Sequence, residues 1–106
     1  MPDTIYAPST LIGRSGVTVV RISGPETHAA LSALLGGAPA PAPRRASLRP
    51  LASPEDGSLL DRAVVLWLPG PASFTGEDMA ELHLHGGRAV AQGVLGALGR
   101  LPGLRL

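Results

Sequence analysis

Arg21 is the first residue of this sequence whose position suggests chemistry. It lies in the β-branched segment Val17 to Ser23, which predicts a strand. Alternation places its side chain on the face of Val17 and Val19, so we expect it to point toward packed surface. An unpaired charge there would be costly, so Arg21 requires a partner. It either forms a cross-strand ion pair or snorkels at the strand end, or presents its planar guanidinium to a ligand.

Three further polar residues, Glu81, His83 and His85, alternate with Leu82 and Leu84 in a second predicted strand, Met79 to His85. Alternate strand residues lie roughly 6.6 Å apart and project the same way. The three side chains form a solvated face, a zinc site, or a ligand site in which Glu81 accepts hydrogen bonds from an amino-heterocycle. Consecutive strand positions splay metal ligands, so we predict no metal. His85 also precedes Gly86-Gly87 and a helix start, where anions are favoured.

Two loops carry glycine together with side chains suited to binding. Gly13-Arg14-Ser15-Gly16 has the G-x-x-G form of an RNA-binding loop, but that loop joins two helices and this one feeds a strand. The second loop, Pro69 to Asp78, contains the only phenylalanine, Phe74, and the adjacent acids Glu77 and Asp78. It is either a structural turn or a recognition surface.

Composition excludes several kinds of site. With no cysteine, the chain forms neither disulfides nor thiolate metal sites, and we expect a reducing, cytoplasmic location. All nine basic residues are arginine, so a phosphate-binding loop ending in Gly-Lys-Ser/Thr and lysine Schiff-base chemistry are excluded. The net charge of +1 gives no strong nucleic-acid footprint. No signal peptide or membrane-spanning segment is visible.

The elements that must position these residues predict one α+β domain over residues 1–106, with a small mixed sheet and two main helices. Strands are expected at Thr4 to Ala7, Ser47 to Leu51 and Ala63 to Leu68, the last as the central strand. One helix starts near Ser23-Gly24-Pro25-Glu26, and the other follows Gly87. Residues 38–46 form a surface loop. Leu104-Arg105-Leu106 resembles the beginning of a strand, so we expect the domain to continue further.

Several motifs occur in a characteristic order. They are DTIYA from Asp3, GRSGV from Gly13, RISG from Arg21, and PGPASFTGEDMAELHLHGG from Pro69 to Gly87. Together they closely resemble the N-terminal domain of the MnmE (TrmE) family of tRNA modification GTPases. The resemblance runs from Asp3 to the last residue, although Ala38 to Asp56 carries no such signature.

The resemblance implies a fold similar to the folate-binding region of aminomethyltransferases, homodimerisation through this domain, and binding of 5-formyltetrahydrofolate or a related tetrahydrofolate. It implies that the intact protein, with the flavoprotein MnmG, modifies C5 of the wobble uridine of tRNA. GTP, Mg²⁺ and K⁺ would bind only in a GTPase domain outside this chain. We expect this chain itself to hold no catalytic residue.

The resemblance also maps the folate contacts onto Arg21 and Glu81, and a further family contact is a lysine downstream of this chain. The supporting site residues are Arg14, Gly16, Phe74, Glu77 and His85. Two alternatives stay open at this point: a stand-alone aminomethyltransferase-like enzyme of one-carbon metabolism, and a pure dimerisation scaffold.

Overall fold

The computed structural model describes residues 3–8 and 16–106. Within them lie two helices and a six-stranded sheet, which confirms the predicted α+β class with a mixed sheet. In chain order the elements are β1 (Thr4–Pro8), β2 (Thr18–Ser23), α1 (Thr27–Leu34), β3 (Ser47–Ala52), β4 (Leu59–Leu68), β5 (Met79–Leu84), α2 (Arg88–Gly99) and β6 (Leu104–Arg105). Residues 38–46 form the predicted irregular connection before β3.

The strand order is β3-β4-β5-β2-β1-β6. Neighbouring strands are antiparallel except β1 and β6, which are parallel, so the predicted strand at Leu104 is present and makes the sheet mixed. The prediction that residues 63–68 form the central strand is wrong, because β5 and β2 occupy the middle and β4 lies next to edge strand β3. An apolar run shows that a strand is covered, but strand order depends on pairings that the run does not encode.

Both helices pack against the same face of the sheet. Val20 and Ile22 of β2 and Leu82 and Leu84 of β5 point into this core and are fully or almost fully buried. They meet the apolar stripes of the two helices, which comprise Ala30, Leu31 and Leu34 of α1 and Ala91, Val94, Ala97 and Leu98 of α2. At roughly 25 cal/mol per Å² of buried apolar area, this one-sided layer supplies most of the driving force for folding. The opposite face of the sheet has no helix among the described elements.

The chain passes from β2 to α1 through a close contact with β1. Helix α1 begins at Thr27, later than expected, and Ser23 does not cap it. Instead the Thr27 hydroxyl donates to the Gly24 carbonyl at 2.8 Å, and the Glu26 N–H donates to Thr4 Oγ1 at 2.7 Å. Gly24 has φ of +140°, and a Cβ atom there would lie 2.5 Å from the Thr4 Cα. Only glycine permits this backbone conformation and this approach to β1.

Neither of the two helices in the described residues is long and apolar enough to cross a membrane.

We predict that Gly24→Ala lowers the free energy of unfolding by roughly 2 to 5 kcal/mol, because it combines a strained φ with a backbone clash. Gly93→Ala is the matched control. Gly93 lies inside α2, and a Cβ atom there would make only an ordinary 3.8 Å contact with Leu60 of β4. The control should be stabilising by about 0.5 to 1 kcal/mol. Urea denaturation monitored by circular dichroism measures both. Equal stability of Gly24→Ala and wild type would contradict the conclusion that position 24 requires glycine.

Candidate functional site

The register between β2 and β5 places Arg21 directly opposite Glu81. Both side chains leave the sheet on the face that the helices do not cover. Arg21 Nε donates to Glu81 Oε2 at 2.9 Å, with side-chain exposures of 49% and 17%. The sequence expectation that Arg21 points toward packed surface is therefore wrong. Val20 and Ile22 take that face instead. Valine occurs on both faces of the strand, so its valines do not indicate which face the helices cover.

Glu81 has a second partner two residues further along β5, on the same face of the strand. His83 Nε2 lies 3.0 Å from Glu81 Oε1, so both carboxylate oxygens are engaged. Partial burial of the Glu81 carboxyl raises its pKa, but the hydrogen bonds from His83 and Arg21 outweigh burial, and the pKa lies below its usual value. Glu81 is therefore an ionised acceptor held by two donors. The pair is the cross-strand ion pair that was one of the alternatives for Arg21. It leaves further N–H groups of the guanidinium free to donate to other acceptors.

Apolar residues surround this polar cluster on the uncovered face. The register aligns Leu66, Glu81, Arg21 and Ala7 in one row across four strands. The flanking rows are mostly apolar; they comprise Leu68, Met79, Ser23 and Ile5 on one side, and Leu48, Val64, His83 and Val19 on the other. Ile5 and Leu48 are respectively 46% and 63% exposed. An apolar surface around a partly exposed charge pair is typical of a binding or interaction surface rather than of a solvated face.

The loop between β4 and β5, residues 69–78, rises beside Arg21. Gly70-Pro71 is a cis peptide bond. Asp78 closes the loop by accepting a hydrogen bond from the Gly70 N–H through Oδ1 at 2.9 Å, and its carbonyl accepts from the Gly24 N–H at 3.0 Å. Thr75 joins its hydroxyl to that of Ser23 at 2.9 Å, which fixes the loop against β2.

A hollow of about 210 Å³ lies between this loop and the sheet. Its lining includes Arg21, Ser23, Met79 and Phe74, and Phe74 is 90% exposed at the rim. The hollow is smaller than the roughly 300 to 1,000 Å³ of pockets that enclose a drug-sized ligand. It therefore has room for a ring-sized portion of a ligand, with an aromatic side chain available for stacking.

The structure brings together only some of the predicted site residues. Arg21, Glu81 and Phe74 converge on or beside the hollow. Glu77 is exposed in the loop, where its backbone N–H donates to Thr75 Oγ1 at 3.3 Å and its carbonyl accepts from Ser73. Gly16 is exposed just before β2, and Arg14 lies outside the described residues.

His85 does not join Glu81 and His83. It follows the end of β5, where its backbone N–H donates to Asp61 Oδ2 at 2.8 Å. The predicted strand through His85 is therefore one residue too long, because β5 ends at Leu84 and the His85 N–H bonds to a side chain. Among the described residues there is no group of three or more histidine, aspartate or glutamate side chains placed to hold a metal ion.

Sequence reasoning missed His83 as the second partner of Glu81, although its i+2 spacing was the available signal. It also missed Arg44, whose Nη2 donates to the Ala72 carbonyl at 3.0 Å and whose N–H donates to the Trp67 carbonyl at 2.9 Å. The bond to Trp67 connects the 38–46 loop to β4, and the bond to Ala72 connects it to the loop beside the hollow. No sequence pattern links residues 28 positions apart, so only the fold reveals this contact.

We predict that Glu81→Gln lowers stability at neutral pH and that the deficit relative to wild type shrinks in acid. The folded-state pKa of Glu81 is depressed, so its ionisation stabilises the fold above the unfolded pKa of about 4.5. That contribution is lost as pH falls through the lower folded-state pKa. Urea denaturation at about pH 7 and about pH 3.5 measures the difference.

Glu77→Gln is the control for this experiment, because among the described residues no cation contacts the exposed Glu77 carboxylate. It should match wild type at both pH values. A deficit for Glu81→Gln that is equally large in acid would mean that its carboxylate charge is not the stabilising feature.

Comparison with known proteins agrees with the motifs. Residues 4–106 match the family described as GTP-binding protein TrmE N-terminus. A tRNA modification GTPase MnmE from a Methylobacterium species is 62% identical over 98% of this chain and 24% of its own length. MnmE from Rhizorhabdus wittichii is 65% identical over 97% of this chain and 23% of its own length.

A mitochondrial relative is similar over the same region. The 5-taurinomethyluridine-[tRNA] synthase subunit of Danio rerio is 59% identical over 97% of this chain and 20% of its own length. The chain thus spans about a quarter or less of the length of these relatives. From residue 4 to residue 106, it belongs to the TrmE N-terminal family, the N-terminal domain of the MnmE tRNA modification GTPases.

Proposed function

We propose that this domain binds a tetrahydrofolate, as 5-formyltetrahydrofolate or a related one-carbon carrier, and forms the homodimer of a tRNA modification GTPase. The observation that carries the folate proposal is the Arg21–Glu81 pair on the uncovered sheet face, beside a hollow whose rim bears Phe74. This arrangement offers a carboxylate acceptor, a guanidinium donor and an aromatic ring within one small region.

Each group has a defined partner on the ligand. A pterin edge carries adjacent N–H donors, and the second lone pairs of the Glu81 oxygens accept them. Arg21 uses Nε for Glu81, so its Nη groups are available for a carboxylate of the glutamyl tail. Phe74 stacks on the heterocycle at the rim of the hollow.

In this proposal the domain supplies binding rather than catalysis. Both Glu81 oxygens are engaged by donors and its pKa is low, so Glu81 is a poor general base at neutral pH. The folate would supply the one-carbon unit, and the flavoprotein MnmG would act with the intact protein at C5 of the wobble uridine of tRNA. GTP, Mg²⁺ and K⁺ belong to a GTPase domain of the longer, cytoplasmic polypeptide, because the lysine of a phosphate-binding loop is lacking here.

We predict that Glu81→Ala in the full-length polypeptide weakens 5-formyltetrahydrofolate binding roughly 10- to 100-fold, the effect of removing a charged hydrogen-bond acceptor. Isothermal titration calorimetry measures the affinity. Glu55→Ala is the matched control, because Glu55 forms an exposed ion pair with Arg100 away from the hollow. It should bind like wild type.

Equal affinities of wild type and Glu81→Ala would remove Glu81 from the folate site. If wild type itself fails to bind the folate but still dimerises, the domain is a dimerisation scaffold. The similarity to the folate-binding region of aminomethyltransferases stays a prediction.

The dimerisation proposal is supported by the apolar rows of the uncovered face. Leu48, Val64 and Leu66 lie on neighbouring strands of this face, and Ile5 continues it at the other side of Arg21. Two copies packed through such a surface would bury these side chains and enclose the polar row containing Arg21 and Glu81. Homodimers usually bury a surface of this kind, more apolar than the rest of the exterior.

We predict that Leu66→Asp converts the full-length dimer to a monomer, because it places a charge within the apolar face beside Glu81. Light scattering coupled to size-exclusion chromatography measures the mass. Leu59→Asp is the control at the exposed first residue of β4 and should remain dimeric. A dimer for both variants would locate the interface elsewhere.

A further inference from the structure

A second concave surface, distant in the strand order from Arg21, lies beside edge strand β3. We call it the arginine groove; it has a volume of about 400 Å³ and is lined by Pro41, Ala42, Arg45, Ala46, Ser47 and Arg49. We propose that the arginine groove binds backbone phosphates of the tRNA substrate. This inference deepens the proposed function, on which it rests for the identity of the RNA.

The charge of the groove is uncompensated. From residue 35 to residue 54 the sequence contains Arg44, Arg45 and Arg49 and no acidic residue. Within residues 3–8 and 16–106, no carboxylate contacts any of these three arginines. By contrast, Arg21, Arg100 and Arg105 each pair with a carboxylate. The near-neutral total charge therefore conceals a local excess of positive charge at this edge of the sheet.

The groove also has a partly fixed geometry. Arg49 is half-buried; its Nε donates to Ser47 Oγ and its Nη1 donates to the Pro39 carbonyl, both at 3.0 Å. These bonds orient the guanidinium and leave N–H groups of the fork for an anion. Arg45 stands exposed on the same groove, and its backbone N–H closes a turn on the Ala42 carbonyl at 3.2 Å. A planar guanidinium held in this way suits a phosphate better than a mobile surface charge.

The position of the groove favours RNA as the source of the phosphate. Arg44, next to Arg45, donates to the Ala72 carbonyl in the loop that forms the hollow. A polynucleotide backbone in the groove would therefore lie next to the loop that carries Phe74. Phosphate contacts fix the position and register of a nucleic acid without reading its sequence. The MnmE relatives are tRNA modification GTPases, and tRNA is a polyphosphate ligand of this kind.

The test compares tRNA binding by full-length wild type and the double variant Arg45→Gln/Arg49→Gln, measured by fluorescence anisotropy over a salt series. Arg44 is left intact because it supports the loop beside the hollow. Loss of two phosphate contacts should reduce the slope of log affinity against log salt by about 1.4 to 1.8. Between about 50 and 200 mM salt, wild type should then lose roughly 10-fold more affinity than the variant.

Arg88→Gln/Arg100→Gln is the matched control, since it removes the same charge at the two ends of α2. It should keep the wild-type slope. The proposal is overturned if the double variant keeps the wild-type affinity and slope, or if the control loses as much.

Two further measurements separate this proposal from the proposed function. Circular dichroism melting should show that both variants remain folded, and 5-formyltetrahydrofolate should bind both with wild-type affinity. Failure of wild type to bind the folate would contradict the proposed function while leaving the salt dependence of tRNA binding as the test of the groove.

Discussion

The antiparallel register between β2 and β5 is the constraint on which the candidate site depends. It sets Arg21 opposite Glu81 and, through the same ladder, Val20 opposite Leu82 on the other face. A slip of one residue would exchange the two faces, burying the charges under the helices and exposing the core. The hydrophobic core and the polar pair are thus fixed by one set of backbone hydrogen bonds, so the site is as well defined as the centre of the sheet.

One-sided helix packing explains why a charged pair can persist on an otherwise apolar surface. Both helices cover the face of Val20, Ile22 and Leu82, and the sheet's other face is left with half-exposed apolar side chains. Partial burial alone would raise the pKa of Glu81, but its two donors keep it ionised. A carboxylate that is partly desolvated yet still charged forms stronger hydrogen bonds than one in bulk water.

The loop after β4 connects this site to the rest of the molecule. The Asp78 carboxylate accepts a hydrogen bond from Gly70 at the start of the loop. Its carbonyl accepts hydrogen bonds from Gly24 and Thr27 at the start of α1. Arg44 reaches the same loop from the connection before β3. The start of α1 and the 38–46 loop are therefore both hydrogen-bonded to the loop of residues 69–78. This loop is a structural element common to the folate proposal and the arginine-groove proposal.

The sequence by itself determined the element types, the family and the residues of the pair. Alternation and turn residues located β1, β2, β3 and β5 to within a residue or two, because a strand's period and its terminators are local properties. Strand order, the face on which Arg21 lies, the departure of His85 and the contact of Glu81 with His83 were decided by tertiary structure. β2 carries valine on both faces, so its valines alone do not indicate which face the helices cover, and that choice rests on contacts between residues far apart in the chain. The arginine groove arises in the same way, since net charge sums over the sequence while a binding surface depends on where the fold places each charge.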